Sequence, residues 1–185
     1  MLIGEAPGAT EDEMGRPFVG AAGKLLTFAL ESVGIPRPSV YITNVVKCRP
    51  PGNREPNEEE IRACEPYLEW QIRAIRPKII VTLGNVAGKW IFEHAGLKWS
   101  GVTRMRGRVY RLKLFDLEVL VLPTLHPAAA LYNPPKKSIF LDDIKKLKEI
   151  LDKISRGEEV EATSVSISTQ EKISRPRSLL DYIKR

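Results

Sequence analysis

Apolar strands alternate with amphipathic helices along most of the chain, and this alternation restricts the possible folds more than any other feature of the sequence. Residues 40–46 and 79–83 are apolar or β-branched at almost every position, as is typical of strands buried on both faces of a parallel sheet. The alternation predicts an α/β fold, a three-layer α/β/α sandwich around a central, mainly parallel four-stranded sheet. In folds of this kind, ligands bind outside the carboxyl ends of the strands.

The helices and the remaining strands are predicted from periodicity and from start and stop signals. Asn57, with Glu60 three residues later, has the pattern of a capping box at the start of a helix that ends near Ile75. Residues 1–4 have the pattern of the end of a strand. Further helices are predicted over residues 21–33, 85–94, 128–132 and 138–155, and two paired strands over residues 108–114 and 118–123.

A single domain is expected over residues 1–155, because 185 residues with 43% hydrophobic content suffice for one well-packed core and are few for two. Residues 156–185 are predicted to form a polar, flexible C-terminal tail, since residues 157–177 are rich in Ser, Thr, Glu and basic residues. Residues 179–183 are a candidate docking segment within this tail, for a partner that the sequence does not identify.

The composition favours some classes of partner and compartment. A formal net charge of +6 favours polyanionic partners, although many proteins with such a charge never bind nucleic acid. The chain has no run of about 18 apolar residues and no basic segment before Leu2, so neither a membrane span nor a signal peptide is expected. A cytoplasmic protein, monomeric and without membrane contact, is the expectation. In a reducing compartment, Cys48 and Cys64 indicate a metal site or buried thiols rather than a disulfide.

Three loops that follow predicted strands carry polar residues that the fold does not obviously need, and they span residues 4–18, 44–54 and 124–133. The first loop departs from both glycine-rich phosphate motifs, because the second glycine of the dinucleotide motif is missing and Leu25 replaces the Ser or Thr of a P-loop. One interpretation is a sharp turn with solvated acids. That interpretation does not explain Phe18, an aromatic residue in a Gly/Pro loop beside carboxylates, where it could stack on a base.

Asn44 and His126 are the candidate site residues of the other two loops. Asn44 ends an apolar strand, where a buried amide must find hydrogen-bond partners. Its donor and acceptor match the O4 and N3–H edge of uracil, and a neighbouring backbone loop would satisfy them equally well. His126 follows a strand and precedes a proline in the predicted crevice, which favours a catalytic role over a structural one. His94 lies at a predicted helix end, where a cation meets the helix dipole, and we expect a structural role for it.

These loops resemble those of the uracil-DNA glycosylase superfamily, and in particular its family 4, the iron-sulfur-containing enzymes typical of thermophilic bacteria and archaea. The resemblance covers about residues 1–152 and rests on a series of motifs in fixed order. They are Gly-Glu-Ala-Pro-Gly at 4–8, Gly-Arg-Pro-Phe-Val-Gly at 15–20, Ile-Thr-Asn-Val-Val-Lys-Cys-Arg-Pro-Pro at 42–51, Asn-Arg at 53–54, Cys-Glu-Pro-Tyr-Leu at 64–68 and His-Pro-Ala-Ala at 126–129.

The resemblance implies hydrolysis of the N-glycosidic bond of deoxyuridine in single- or double-stranded DNA, after the base has been flipped out of the helix. In this scheme Phe18 stacks on the flipped uracil and Asn44 reads its O4/N3 edge. His126 donates a hydrogen bond to O2 as negative charge develops on the leaving uracil, for which a neutral imidazole suffices.

The resemblance does not identify the group that activates the water. Family 1 enzymes have an aspartate at the position where this chain has Ala6 in the pocket wall. Glu5 is one candidate for activating the water. A water held by the backbone of the same loop and by Asn53 is the other. Glu11 is a candidate for crowding the C5 edge of the base, which would exclude thymine.

The basic residues nearest these loops are expected to contact DNA phosphates. They are Arg16, Lys47, Arg49 and Arg54. Two alternatives to uracil excision stay open: a non-catalytic glycosylase-like DNA-binding module, and an enzyme that excises another deaminated base. Intact Phe18, Asn44 and His126 argue against the first.

Cys48 and Cys64 match the third and fourth ligands of the [4Fe–4S] cluster that the resemblance implies, and such a cluster usually requires four thiolates. The family places its first two cysteines upstream of the strand that ends in the 4–8 motif, where this chain has none. A start codon assigned too late, so that an N-terminal part is missing, is the favoured explanation. A divergent protein that has lost the cluster is the alternative.

Overall fold

A computed structural model describes residues 1–163 of the chain, and these residues form five strands and seven α-helices. The strands are β1 (Leu2–Gly4), β2 (Ile42–Asn44), β3 (Ile79–Leu83), β4 (Tyr110–Leu114) and β5 (Leu117–Thr124). The helices are α1 (Ala9–Met14), α2 (Ala21–Ser32), α3 (Glu58–Ile75), α4 (Asn85–His94), α5 (Val102–Met105), α6 (Pro127–Ala130) and α7 (Pro134–Ser155). Short 3-10 turns occur at Arg37–Ser39 and Pro51–Asn53.

The strands form one sheet in the order β2-β1-β3-β5-β4. Strands β2, β1, β3 and β5 are parallel, whereas β4 pairs with β5 in antiparallel register. The predicted parallel strands are therefore confirmed, but the predicted count of four is wrong by one. The fifth strand arises because a tight turn at Phe115, with a positive φ of 58°, folds β4 back against β5.

Two apolar layers cover the two faces of the sheet and confirm the three-layer sandwich. On one face, α2 and α7 pack against the sheet through side chains such as Leu26, Leu30 and Phe140. On the other face, α3 and α4 pack through side chains such as Leu68 and Ile91. Because successive residues of a strand point to opposite faces, each central strand contributes apolar side chains to both layers.

Helix α3 begins with the predicted capping box. Asn57 Oδ1 accepts a hydrogen bond from the backbone N–H of Glu60 at 2.8 Å, and the Glu60 carboxylate accepts one from the backbone N–H of Asn57 at 2.9 Å. Two backbone donors that the first helical turn would leave unpaired are thereby satisfied. The helix consequently starts where the sequence predicts, directly after the loop of residues 44–54.

Two segments differ from their predictions. Residues 4–18 were expected to be a loop but contain α1, which ends at Gly15 in the left-handed conformation. The strand expected over residues 40–46 spans only Ile42–Asn44, the three residues in register with β1.

The beginning of the predicted flexible tail also differs from its prediction. Val160 is buried against the α2/α7 layer, and the backbone N–H of Thr163 donates to Val109 O at 2.7 Å. The boundary at residue 155 is therefore too early, since these residues contribute apolar and backbone contacts to the sheet. Residues 164–185, with the candidate docking segment at 179–183, lie outside the described part of the chain.

Within residues 1–163, no helix combines the length and the apolar character that a membrane crossing requires.

The capping box gives a direct test of what fixes the start of α3. We expect Asn57→Ala to lower the free energy of unfolding by about 1 kcal/mol, because the backbone N–H of Glu60 loses its acceptor. Urea denaturation followed by circular dichroism measures this change. Glu59→Ala is the matched control, since Glu59 is exposed in the same helical turn. Equal stability of the two variants would contradict the assignment.

Candidate functional site

A cavity of about 440 Å³ opens at the carboxyl ends of the parallel strands, where the three predicted loops converge. Its size lies within the range typical of small-molecule sites. Most of the predicted site residues line it: Glu5, Ala6, Glu11, Phe18, Asn44, Asn53, Arg54 and His126. Pro7, Gly8, Ala22, Pro50, Ala128 and Ala129 complete the lining.

Phe18 forms one wall of the cavity in a backbone conformation that few residues adopt. Its φ is +52°, in the left-handed region where a non-glycine residue is strained. The side chain is only 5% exposed, and its ring centroid lies 5.6 Å from that of His126. The aromatic ring and the imidazole therefore flank the same space.

Three contacts hold the loop that carries Phe18. Gly23 lies so close to the Phe18 backbone that a Cβ at position 23 would be 2.0 Å from the Phe18 carbonyl carbon. Arg37 Nη2 donates to the carbonyl oxygen of Pro17 at 2.8 Å. Glu11 Oε1 accepts from the backbone N–H groups of Val19 and Gly20 at 2.9 and 2.7 Å. Together these contacts maintain the strained conformation.

Glu11 lines the cavity, and its carboxylate also supports this loop. Burial alone would raise the pKa of Glu11, but backbone N–H donors, including those of Gly20 and Val19, outweigh burial and bring the pKa below its ordinary value. The side chain therefore remains ionised at the N-terminus of α2, where the helix dipole also favours a negative charge. Its predicted role at the C5 edge of a base stays a prediction.

Asn44 lines the cavity and has an unpaired, buried polar atom. The residue is 4% exposed, and its Oδ1 atom is buried without a hydrogen-bond partner among the described residues. The side chain approaches Gly4 so closely that a Cβ at position 4 would lie 2.5 Å from Oδ1. A buried acceptor without a partner costs about 1 to 3 kcal/mol, so this oxygen is an incomplete site for a ligand that brings a donor. The alternative expectation, that a backbone loop satisfies the amide, is not met at Oδ1.

His126 presents a neutral imidazole with a defined tautomer. Burial lowers the pKa of His126 to about 4, although the negative charge of Glu11 acts in the opposite direction. The backbone N–H of Ala128 donates to Nδ1 at 3.2 Å. Because Nδ1 is the acceptor, the proton of the neutral ring resides on Nε2, which is left as a donor. The ring is also confined by Gly84, where a Cβ would lie 3.1 Å from the Cβ of His126.

Glu5 is a half-buried carboxylate in the cavity wall. Burial raises the pKa of Glu5, and the negative charge of Glu55 raises it further. A carboxylate with a raised pKa is a better proton acceptor than an ordinary surface acid. Its geometry and its basicity are therefore compatible with the predicted role in activating water.

Three of the four predicted phosphate ligands form hydrogen bonds or ion pairs with other residues of the protein. Lys47 points inward: its Nζ donates to Asn44 O at 2.6 Å, Gln71 Oε1 at 2.8 Å and Thr43 Oγ1 at 3.0 Å. Burial lowers its pKa to about 8, although the charge of Cys64 acts in the opposite direction. A side chain held in this way supports the end of β2, and the phosphate contact expected of Lys47 stays a prediction.

The remaining cations differ in their availability. Arg49 Nε donates to Asn53 Oδ1 at 2.7 Å, so the amide oxygen of Asn53 is occupied. Arg54 forms a bidentate ion pair with Glu60 at 2.7 and 2.8 Å and borders the cavity. Arg16 is exposed beside α1. Arg16 is thus the predicted phosphate ligand that makes no hydrogen bond or ion pair within the described part of the chain.

The family model of the uracil-DNA glycosylase superfamily matches residues 1–153. The chain is 56% identical over 151 residues to a type-4 uracil-DNA glycosylase of Sulfurisphaera tokodaii, covering 81% of this chain and 69% of that protein. It is 51% identical over 152 residues to the type-4 uracil-DNA glycosylase of Saccharolobus solfataricus, covering 82% and 70%. For that of Archaeoglobus fulgidus, the identity is 48% over 153 residues, covering 83% and 77%. The chain belongs to the type-4 branch of the uracil-DNA glycosylase superfamily.

This type-4 chain does not supply the donor set of a complete [4Fe–4S] cluster. The sequence contains two cysteines, and in the described part no group of three or more His, Cys, Asp or Glu side chains could hold a metal ion. Cys48 is exposed, whereas Cys64 is partly buried and its Sγ accepts from the backbone N–H of Lys47 at 3.3 Å. Because four thiolates are the usual requirement, the cysteines present do not by themselves fit the cluster.

The sequence reasoning missed the residues that hold the glycosylase site in place. Arg37 carried no signal, because its contact with Pro17 crosses 20 residues of chain. Gly23 carried a signal that was not used, since a glycine within a helix that faces a loop indicates close backbone approach. Lys47 was assigned by its charge, which does not reveal the direction of a side chain.

The half-buried imidazole of this type-4 protein yields a test by titration. We expect the ring protons of His126 to titrate in NMR spectra with a midpoint near pH 4 instead of 6.5, because burial disfavours the imidazolium. The ring is then neutral from about pH 5 upward. The chain has two histidines, so His126→Gln removes one resonance and assigns it. A midpoint near 6.5 would show that the imidazole is solvated.

Proposed function

We propose that this chain is a DNA-repair glycosylase that hydrolyses the N-glycosidic bond of deoxyuridine, releasing uracil and leaving an abasic site. The observation that carries the proposal is the buried, unpaired Oδ1 of Asn44 in a cavity flanked by Phe18 and by the Nε2 donor of His126. Relatives that are 48–56% identical and bear the name type-4 uracil-DNA glycosylase support it. The substrate is uracil in single- or double-stranded DNA.

Asn44 accounts for the choice of base in this proposal. Its Oδ1 accepts from N3–H of uracil while its Nδ2 donates to O4, so both polar atoms of the amide are satisfied. Cytosine presents an acceptor at N3 and an amine at position 4, which reverses the pattern and leaves the buried amide mispaired. A pocket built to pair with one hydrogen-bond pattern rejects the other strongly.

Phe18 and the 4–8 loop account for the fit of the ring. Phe18 stacks on the flipped base, and its fixed backbone means that the aromatic surface is in place before the base enters. Ala6 contributes a small apolar wall in place of a carboxylate. Glu11 also lines the cavity, and its bulk crowds a methyl group at C5 and disfavours thymine.

His126 and Glu5 have different roles in the reaction. The bond between C1′ and N1 breaks with its electron pair moving onto the uracil, and Nε2–H of His126 stabilises the negative charge at O2. The oxygen of a water molecule bonds to C1′, and Glu5 accepts the proton of that water. Asn53, whose Oδ1 is held by Arg49, helps to place the water through its amide N–H group. The proton finally returns to the released uracil anion.

Cations around the cavity mouth hold the DNA backbone. Arg16 contacts a phosphate directly, since it is exposed. Arg49 and Arg54 reach the backbone as members of polar pairs with Asn53 and Glu60, which orient their guanidinium groups. A flipped-out nucleotide between these contacts places its base in the cavity.

Replacing Asn44 tests the assigned recognition. We expect Asn44→Ala to slow uracil release in single-turnover assays by about 10- to 100-fold, because a bidentate base contact is worth about 1 to 3 kcal/mol. Affinity for the same oligonucleotide with thymine in place of uracil is the control and should not change. Full activity of the variant would remove Asn44 from the recognition scheme.

Replacing Glu5 tests the assigned base. We expect Glu5→Gln to lower the single-turnover rate at pH 7 by about 100- to 10,000-fold, the usual contribution of a general base. Glu55→Gln is the matched control: it removes the neighbouring charge but keeps the Glu5 carboxylate. If Glu5→Gln retained the wild-type rate, the water would be activated by another group.

A further inference from the structure

A buried ionic cluster lies beneath the strand that carries His126 to the site. Asp143 of α7 is 3% exposed, and both of its carboxylate oxygens bind Arg106. Arg106 Nε donates to Asp143 Oδ2 at 2.9 Å, and Nη2 donates to Oδ1. The hydroxyl of Thr124 also donates to Asp143 Oδ2, at 2.7 Å. A charge buried in this way is costly unless its partners are complete, so the cluster holds one fixed geometry.

Thr124 connects this cluster to the catalytic loop. It is the last residue of β5, has no exposed surface and precedes His126 by two positions. Its carbonyl oxygen accepts from Gly84 N at 2.9 Å, and Gly84 in turn packs against the Cβ of His126. Thr124 is therefore fixed through its side chain by Asp143 and through its backbone by the turn that confines the imidazole.

The surroundings of the carboxylate leave it little freedom to move. A Cβ at Gly107 would lie 2.8 Å from Asp143 Oδ1, and the φ of Gly107 is +69°. Gly107 N donates to Pro123 O at 2.9 Å, one residue before Thr124. Lys146 Nζ holds the carbonyl oxygen of Gly107 at 2.6 Å. The segment around Arg106 thus contacts both the carboxylate and the strand that it supports.

We infer that Asp143, clamped by Arg106, acts through the hydroxyl of Thr124 as a positioning residue that aims the Nε2–H donor of His126 at the uracil. The inference rests on the proposed function. None of the three residues lines the cavity, so they act on the reaction through the placement of His126. A hydrogen-bond donor that is displaced by even about 1 Å loses much of its catalytic effect.

Substitutions of Thr124 separate the hydroxyl from the methyl group. We expect Thr124→Val, which keeps the shape but removes the donor to Asp143, to lower the single-turnover rate of uracil release by about 10- to 100-fold. The dissociation constant for the DNA should stay unchanged, because the defect lies in the chemical step. Thr124→Ser, which restores the hydroxyl, should recover most of the rate.

Thr82 offers a matched control in the same sheet. It is fully buried on β3 and pairs in register with Pro123, but its hydroxyl has no hydrogen-bond partner among the described residues. Thr82→Val makes the same chemical change without breaking a bond, and we expect wild-type activity. A wild-type rate in Thr124→Val, or equal losses in Thr124→Val and Thr124→Ser, would overturn the inference.

Two further measurements can each overturn the inference. If Thr124→Val does not fold, Arg106→Lys takes its place: the charge remains, the two-pronged contact with Asp143 is lost, and a wild-type rate would overturn the inference. The NMR resonances of the His126 ring in the free protein should shift in Thr124→Val but not in Thr82→Val, and unmoved resonances would also overturn it. This readout needs no substrate, whereas absence of uracil release by the wild-type protein would contradict the proposed function alone.

Discussion

The close approach of three chain segments at Gly4 is the constraint on which the site depends. A side chain at this position would lie 2.4 Å from the Phe18 ring and 2.5 Å from the Asn44 amide oxygen. Only glycine lets the end of β1 pass between the aromatic wall and the amide that faces the cavity. The parallel register that pairs Gly4 with Asn44 brings the two together at the carboxyl edge of the sheet. Gly4 thus belongs both to the parallel sheet and to the contacts that shape the cavity.

Exclusion of water determines the charge states around this point. Burial keeps the imidazole of His126 neutral and raises the pKa of Glu5, whereas backbone donors keep Glu11 ionised. The pKa values of three titratable groups in one cavity therefore shift for different reasons: burial dominates at His126 and Glu5, whereas backbone N–H donors dominate at Glu11. A neutral donor is sufficient for a leaving group such as the uracil anion, which is itself a stable anion. The alanine at position 6 is compatible with the proposed mechanism, in which the site stabilises that anion.

The sequence predicts the architecture well because its signals are local. The apolar runs, the capping box at Asn57 and the position of His126 after a strand each depend on a few adjacent residues. Helix α1 was missed, although Glu11 and Asp12 in its first turn and Gly15 at its end are recognisable signals. The glycine and proline that precede these residues favour a loop, and that local signal obscures the short helix.

The supporting contacts of the site were harder to predict, since they join distant parts of the chain. Arg106 and Asp143 are separated by 37 positions in the sequence, so no local pattern reveals their pairing. Asp143 did carry a signal, because it lies on the same helical face as Phe140 and Leu147, where a charge needs a buried partner. Lys47 shows the opposite problem: its charge suggested DNA, but only the fold reveals that it points beneath Asn44.

The two edge strands of the sheet, β2 and β4, determine how easily another molecule could add a strand to it. A strand at a border exposes unpaired backbone groups and can recruit a strand from another molecule. Here β2 offers only three residues, and β4 presents the exposed charges of Arg111 and Lys113. Thr163 adds a bridge at the beginning of β4. The segment after α7 therefore covers the beginning of the β4 border, where unpaired backbone groups could otherwise pair with a strand of another molecule.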